Sequence, residues 1–182
     1  VTEPVPEIRS VVRRLREAGA VVLGTTPMTE FGMSPLGGNV HRVMPRNAHR
    51  DDRLPGGSSS GSGVAVVCGV VPIALGADGG GSIRIPAAYN GVFGIKPTFG
   101  RVPVVGHGLP GGSSVVHLGP IGASSHDLAV FLEAASGPDP RDASSERQPV
   151  FEQNELAEAI GRGVRGLRIG VDEDEWAAAS PM

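Results

Sequence analysis

Two serine-bearing glycine loops, Gly-Gly-Ser-Ser-Ser-Gly-Ser-Gly at residues 56–63 and Gly-Gly-Gly-Ser at 79–82, bracket a run of small and aliphatic residues at 64–77. This arrangement constrains the fold more than any other feature. Dense glycine frees the main chain to turn sharply and lets other groups approach it closely, while the run between the loops must be buried. Gly69 and Pro72 divide that run, which predicts a tightly packed helix over 61–69 and then a strand over 71–77. At this length, and so interrupted, it does not read as a membrane span.

The rest of the chain extends the alternation of helix and strand. Ile8, Val11, Val12 and Leu15 make one apolar stripe of a helix over 6–18, closed by Gly19, and residues 20–24 form an apolar run of strand length. Residues 25–53 read as irregular, with a helical turn over 28–32. A short helix is expected over 83–89 and a brief strand over 92–95, with Tyr89 and Phe93 in the core. Glycine, proline and serine mark 100–120 as mainly loop. Ser124 to Asp127 resembles a capping box ahead of a helix whose apolar face is Leu128, Phe131, Leu132 and Ala135. A polar connector over 137–149, a weaker helix over 152–160, a strand over 167–171 and an acidic stretch complete the chain.

Composition narrows the function. The 182 residues, 40% of them hydrophobic, suffice for one packed domain. A net charge of −3 gives no general attraction to nucleic acid or anionic lipid, which leaves a small molecule as the expected partner, with no nucleic acid and no membrane. The single cysteine, Cys68, lies in the apolar run and reads as a packed side chain; with no signal-peptide pattern at the N-terminus, the expectation is a cytoplasmic protein. The histidines at 41, 49, 107, 117 and 126 have no metal-ligand spacing, so neither metal nor cofactor is expected.

Several familiar glycine patterns fail on context. Residues 106–111 match G-x-G-x-x-G, but Pro110 and the Gly-Gly-Ser-Ser that follows oppose the helix a dinucleotide site requires. The only lysine, Lys96, stands before Pro97, which excludes a Walker-type phosphate loop. Gly57-Ser58-Ser59-Ser60-Gly61 fits the nucleophile elbow, yet Arg53-Leu54-Pro55 precedes it where a buried strand is needed. Successive glycines at 79–81, in contrast, can aim several N–H groups at one point, as a developing acyl oxyanion requires. Ser82 then stands at the edge of that point, and the hydroxyls at 58–60 offer a proton relay without a base. Asp78 and Arg84 flank Ser82 and are expected to hold the loops through charge-assisted hydrogen bonds.

Three ordered blocks, residues 56–63, 77–87 and 91–98 (Gly-Val-Phe-Gly-Ile-Lys-Pro-Thr), resemble the amidase signature family, with looser similarity at 24–31, 117–120 and 166–171. The resemblance implies an α/β fold, a mixed β-sheet core covered by helices on both sides, and amide hydrolysis by a Ser-cisSer-Lys triad through an acyl-enzyme. By motif position Ser82 is the nucleophile, Ser58 follows a cis peptide bond, and the N–H groups of Gly79, Gly80, Gly81 and Ser82 form the oxyanion hole. The family's lysine falls before Val1, and Lys96 matches the later Lys-Pro-Thr block instead. Residues 1–182 are therefore expected to be part of a single domain truncated at both ends, with 54–101 as the signature core. The expected function is cleavage of a carboxamide C–N bond in a small-molecule amide, with a homo-oligomer compatible with the full-length parent. The alternatives are an inactive truncated protein and the amidase subunit of a tRNA-dependent amidotransferase.

Overall fold

A computed structural model describes residues 10–105 and 114–174. In chain order these form α1 (Ser10–Glu17), a 3-10 turn (Glu30–Gly32), α2 (Ser60–Val67), β1 (Ile73–Asp78), α3 (Arg84–Asn90), β2 (Phe93–Gly94), β3 (His117–Gly122), α4 (Ser125–Ala135) and α5 (Glu155–Arg162). The strands pair in the order β1-β3-β2, and both pairings are antiparallel. Ile73 lies opposite Gly122 and Asp78 opposite His117, so β1 and β3 match along their whole length.

Side chains alternate across the sheet and find a helical layer on each face. Ile73, Leu75 and Ala77 of β1 join Leu118 of β3 in one core with Val11 of α1 and Phe131, Leu132 and Ala135 of α4. Ala74 and Ile121, one position out of phase, meet Val66 of α2 and Ile83 and Ala87 at the start of α3. The α/β class with helices on both faces is thus the one expected.

Within 100–120 the expected loop gives way to the central strand β3, where glycine and proline disguise a buried ladder. Pro120 is tolerated because its carbonyl accepts from Ile95 N–H at 3.2 Å. In an antiparallel ladder a residue's nitrogen points the same way as its carbonyl, so the missing donor faces past two-residue β2 rather than β1.

The strands expected at 20–24 and 167–171 are absent. Val21 is 82% exposed and Ile169 78%, and no described strand runs beside either; an extended segment becomes a strand only when its N–H and C=O groups gain a ladder. Tyr89 and Phe93 are exposed rather than core. The inward face of α3 is Pro86, Ala87 and Asn90, and Tyr89 lies off it. Gly94 faces α3, where an added Cβ would lie 2.8 Å from that of Ala87, so its neighbour Phe93 faces out. Cys68, the residue capping the C-terminus of α2, is also exposed. Residues 6–9 of the first expected helix, and the glycine pattern at 106–111 with His107, lie outside the described residues.

The later elements carry links that join distant parts of the chain. Ser124 Oγ accepts from Asp127 N–H and caps α4 as expected. Arg14 of α1 donates to the carbonyls of Ala135, Ser136, Gly137 and Pro138, closing the other end of α4. In the connector, buried Asp139 accepts from Ser10 Oγ and from Arg141, whose guanidinium holds its carboxyl well below the usual range despite the opposing effect of burial. The helix expected at 152 begins at Glu155, where Glu133 of α4 accepts from the N–H groups of Asn154 and Leu156.

Candidate active site

The glycine-serine loop enters α2 through contacts that only glycine permits. Gly56 has φ +74°, and a Cβ there would lie 3.0 Å from Pro86 Cα; at Gly61 a Cβ would lie 2.5 Å from Pro27 Cδ. Between them the Gly57–Ser58 peptide bond is cis. Gly61 N–H donates to Pro27 O at 2.9 Å and Thr29 N–H to Ser58 O at 3.1 Å, so the upstream segment straps the loop down.

The four serines of this loop have different fates. Ser59 Oγ donates to Ala77 O and accepts from Ala77 N–H, bridging the loop to β1. Ser60 Oγ donates to Gly56 O at 2.5 Å, and Ser62 Oγ to Leu75 O at 2.8 Å. Ser58 Oγ hydrogen-bonds to no described residue although Ser58 is buried. The commitment of Ser59 to β1 also disposes of the nucleophile-elbow pattern, which requires a free hydroxyl at that position.

The second loop hangs on Asp78, the last residue of β1, whose side chain is fully buried. Its Oδ1 accepts from Gly81 N–H at 2.7 Å and Arg84 Nη2 at 3.0 Å. Its Oδ2 accepts from Ile83 N–H at 3.1 Å and Arg84 Nε at 3.0 Å. Burial alone would raise this carboxyl, but the hydrogen bonds from Arg84 and the main chain outweigh it and hold the pKa at about 2, while Arg84 is raised in turn. Asp78 and Arg84 are joined as expected, with Arg84 half exposed.

Ser82 lies on the turn that Asp78 ties, and Ser59 N–H donates to Ser82 O at 3.2 Å, which locks the two loops together one residue from Ser58. Ser82 is partly exposed, and its Oγ, like that of Ser58, has no hydrogen-bond partner among the described residues. Of the four N–H groups at 79–82, that of Gly81 is already committed to Asp78, whereas no described residue accepts from Gly79, Gly80 or Ser82. Gly81 needs its glycine, with φ +127° and Ile85 Cδ1 2.7 Å from an added Cβ. Apart from Gly80 and its chain neighbours, no atom of a described residue lies within 4 Å of a Cβ built on Gly80. Lys96 Nζ donates to Pro97 O, and no described base reaches either free hydroxyl. No group of described His, Cys, Asp and Glu side chains could hold a metal ion.

Two contributors escaped the sequence analysis. Asn90 is fully buried, and its Nδ2 donates to Pro55 O and Pro86 O at 2.8 Å each, pinning α3 to the start of the serine loop. Thr29 underlies Ser58 from the predicted turn at 28–32, which was legible as a turn but not as part of a site. No described helix is long and apolar enough to cross a membrane.

A family model described as Amidase matches residues 4–181. The chain is 41% identical over 169 residues to a glutamyl-tRNA(Gln) amidotransferase subunit of Akkermansia muciniphila, covering 93% of this chain and 35% of that protein. It is 44% identical over 164 residues to a 1-carboxybiuret hydrolase subunit of Pseudomonas sp. (strain ADP), covering 88% and 34% respectively. Among solved structures, native peptide amidase from Stenotrophomonas maltophilia superimposes with a TM-score of 0.72 at 39% identity, over 81% of this chain and 31% of that one. The chain thus spans about a third of the length of the curated relatives it matches.

Proposed function

Since the chain belongs to the amidase signature family, we propose that the protein carrying it hydrolyses the C–N bond of a small-molecule carboxamide through an ester of Ser82. The observation that carries this reading is the sorting of hydroxyls. In two loops locked by the Ser59 N–H to Ser82 O bond, Ser59, Ser60 and Ser62 are spent on the main chain, whereas the hydroxyls of Ser58 and Ser82 have no hydrogen-bond partner among the described residues.

In this mechanism Ser82 Oγ forms a bond to the amide carbon while its proton passes to Ser58 Oγ, and the Ser58 proton passes to a base. The carbonyl oxygen gains the negative charge and is met by the N–H groups of Gly79, Gly80 and Ser82, with Gly81 N–H holding the turn in shape through Asp78. The C–N bond then breaks, the leaving nitrogen takes the relayed proton, and water hydrolyses the ester to release the acid. No described base hydrogen-bonds to Ser58 Oγ, and Lys96, the sole lysine of the sequence, donates to Pro97 O.

A second reading, an amidase component that supplies ammonia to an amidotransferase, is favoured by the similarity to a glutamyl-tRNA(Gln) amidotransferase and uses the same serines. Purified whole gene product, assayed with p-nitroanilides and with glutamine, tests both. Amide hydrolysis lost in Ser82→Ala supports the proposal, and hydrolysis that survives Ser82→Ala overturns it.

A further inference from the structure

The groups that hold Ser58 point to one residue outside both loops. Of the three atoms nearest to a Cβ built on Gly57, two are main-chain atoms, Ser34 O at 2.6 Å and Gly37 N at 3.0 Å; the one side-chain atom is the Thr29 methyl, at 2.9 Å. The Gly57–Ser58 peptide is therefore walled by Thr29 Cγ2 on one side, and its downstream carbonyl is held by Thr29 N–H at 3.1 Å.

The same residue reaches the hydroxyl end of Ser58 through its own turn. Thr29 O accepts from Gly32 N–H at 3.0 Å, closing the 3-10 turn in which Phe31 has φ 51° and Gly32 φ +70°. A Cβ on Gly32 would lie 3.6 Å from Ser58 Oγ. One short turn thus borders Ser58 at its peptide, its carbonyl and its side chain. Thr29 is completely buried, yet its Oγ1 has no hydrogen-bond partner among the described residues. A buried hydroxyl without a partner is a cost rather than a gain, so Thr29 acts here through its methyl and its N–H.

Resting on the amidase reading above, we propose that Thr29 is a positioning residue for Ser58: its methyl and main-chain N–H fix the Ser58 hydroxyl in the proton path from Ser82, and its own hydroxyl takes no part.

Thr29→Val, Thr29→Ser and Thr29→Gly in the whole gene product separate these groups, since all three keep the N–H, only valine keeps the methyl, and only serine keeps the hydroxyl. With a p-nitroanilide substrate, Thr29→Ser and Thr29→Gly should lose kcat about tenfold or more with KM changed by less than about twofold, because small misplacements of a reacting group are costly. Thr29→Val should restore the wild-type kcat and raise the melting temperature, as the unpartnered hydroxyl is gone. Thr29→Ser retaining full kcat while Thr29→Val loses it assigns the role to the hydroxyl and overturns the proposal; so does wild-type kcat in all three. If Thr29→Gly does not fold, the serine and valine variants decide alone. Ser82→Ala, run in parallel, keeps the two readings apart. Hydrolysis independent of Ser82 sinks the amidase reading and this proposal with it, whereas Ser82-dependent hydrolysis that ignores the methyl sinks this one only.

Discussion

The loop at 56–63 is held by neutral contacts: Gly56 and Gly61 pressed against Pro86 and Pro27, and three serine hydroxyls donated to main-chain carbonyls. The loop at 79–84 hangs instead on one buried carboxylate, Asp78, which gathers two main-chain N–H groups and both ends of the Arg84 fork at 3.1 Å or less. The two meet where Ser59 N–H reaches Ser82 O. Steric and neutral restraint is indifferent to pH and spread over several small terms. A charged hub concentrates the restraint in one group, which acid or a single substitution can remove.

The largest expected effect is chemical and separates free hydroxyls from committed ones. Ser82→Ala should lower kcat of the whole gene product by about 10⁴-fold or more, as loss of a nucleophile does elsewhere. Ser58→Ala should cost about 10²–10⁴-fold, the range of a lost proton-transfer group. Initial rates on a p-nitroanilide measure both, and equal, modest losses across Ser58, Ser59, Ser60 and Ser82 would dissolve the distinction.

Next in size is the hub itself. Asp78→Ala leaves the Gly81 and Ile83 N–H groups without their acceptor, and at about 1–3 kcal/mol for each unpaired buried donor the loss should be about 3 kcal/mol. Urea unfolding of the variant measures it, and a loss near zero would show that the loop is held by packing alone.

Acid should find the same group. The folded-state pKa of Asp78, about 2, lies below the ordinary carboxylate value of about 4, so its contribution is present in full above that value and is lost as pH falls from about 4 through 2. Two pH units correspond to about 2–3 kcal/mol. Unfolding free energies of wild type and Asp78→Asn should converge over that window, the asparagine variant being the flatter of the two. Parallel curves would remove Asp78 from the account.

How much of this was legible in the sequence follows from where each partner lies. The helix–strand pair between the loops, the cap at Ser124 and the pairing of Asp78 with Arg84 were readable, because each rests on residues close together in the chain. The strand β3 was hidden by its own glycines and proline, which are harmless only because of which side the Pro120 nitrogen faces. The runs at 20–24 and 167–171 show the converse: apolar residues of strand length, with no described neighbour to complete a ladder. Within the site, the roles proposed for Ser58 and Ser82 rest on a resemblance, and the structure adds that neither hydroxyl has a hydrogen-bond partner among the described residues. Thr29 and Asn90 were out of reach, since their contacts to Ser58 and Pro55 cross 29 and 35 positions of sequence.

The smallest effect tests the neutral loop on its own terms. Ser59 Oγ donates to Ala77 O at a long 3.4 Å and accepts from Ala77 N–H at 3.2 Å, a bridge of two weak neutral bonds between α2 and β1. Its removal in Ser59→Ala should cost about 1 kcal/mol, the usual net worth of such a bond, because the Ala77 groups face the sheet edge where the loop sits. Since nothing in the bridge titrates, the cost should be the same at pH 3 as at pH 7, and kcat should stay far closer to wild type than in Ser82→Ala. Double-mutant unfolding with Asp78→Ala sharpens the comparison further. The Ser59 N–H to Ser82 O bond survives both substitutions and joins the two loops, so a coupling of about 0.5 kcal/mol or more between the two losses would mean that the neutral and charged restraints act as one unit, whereas additive losses would mean that each loop is held independently.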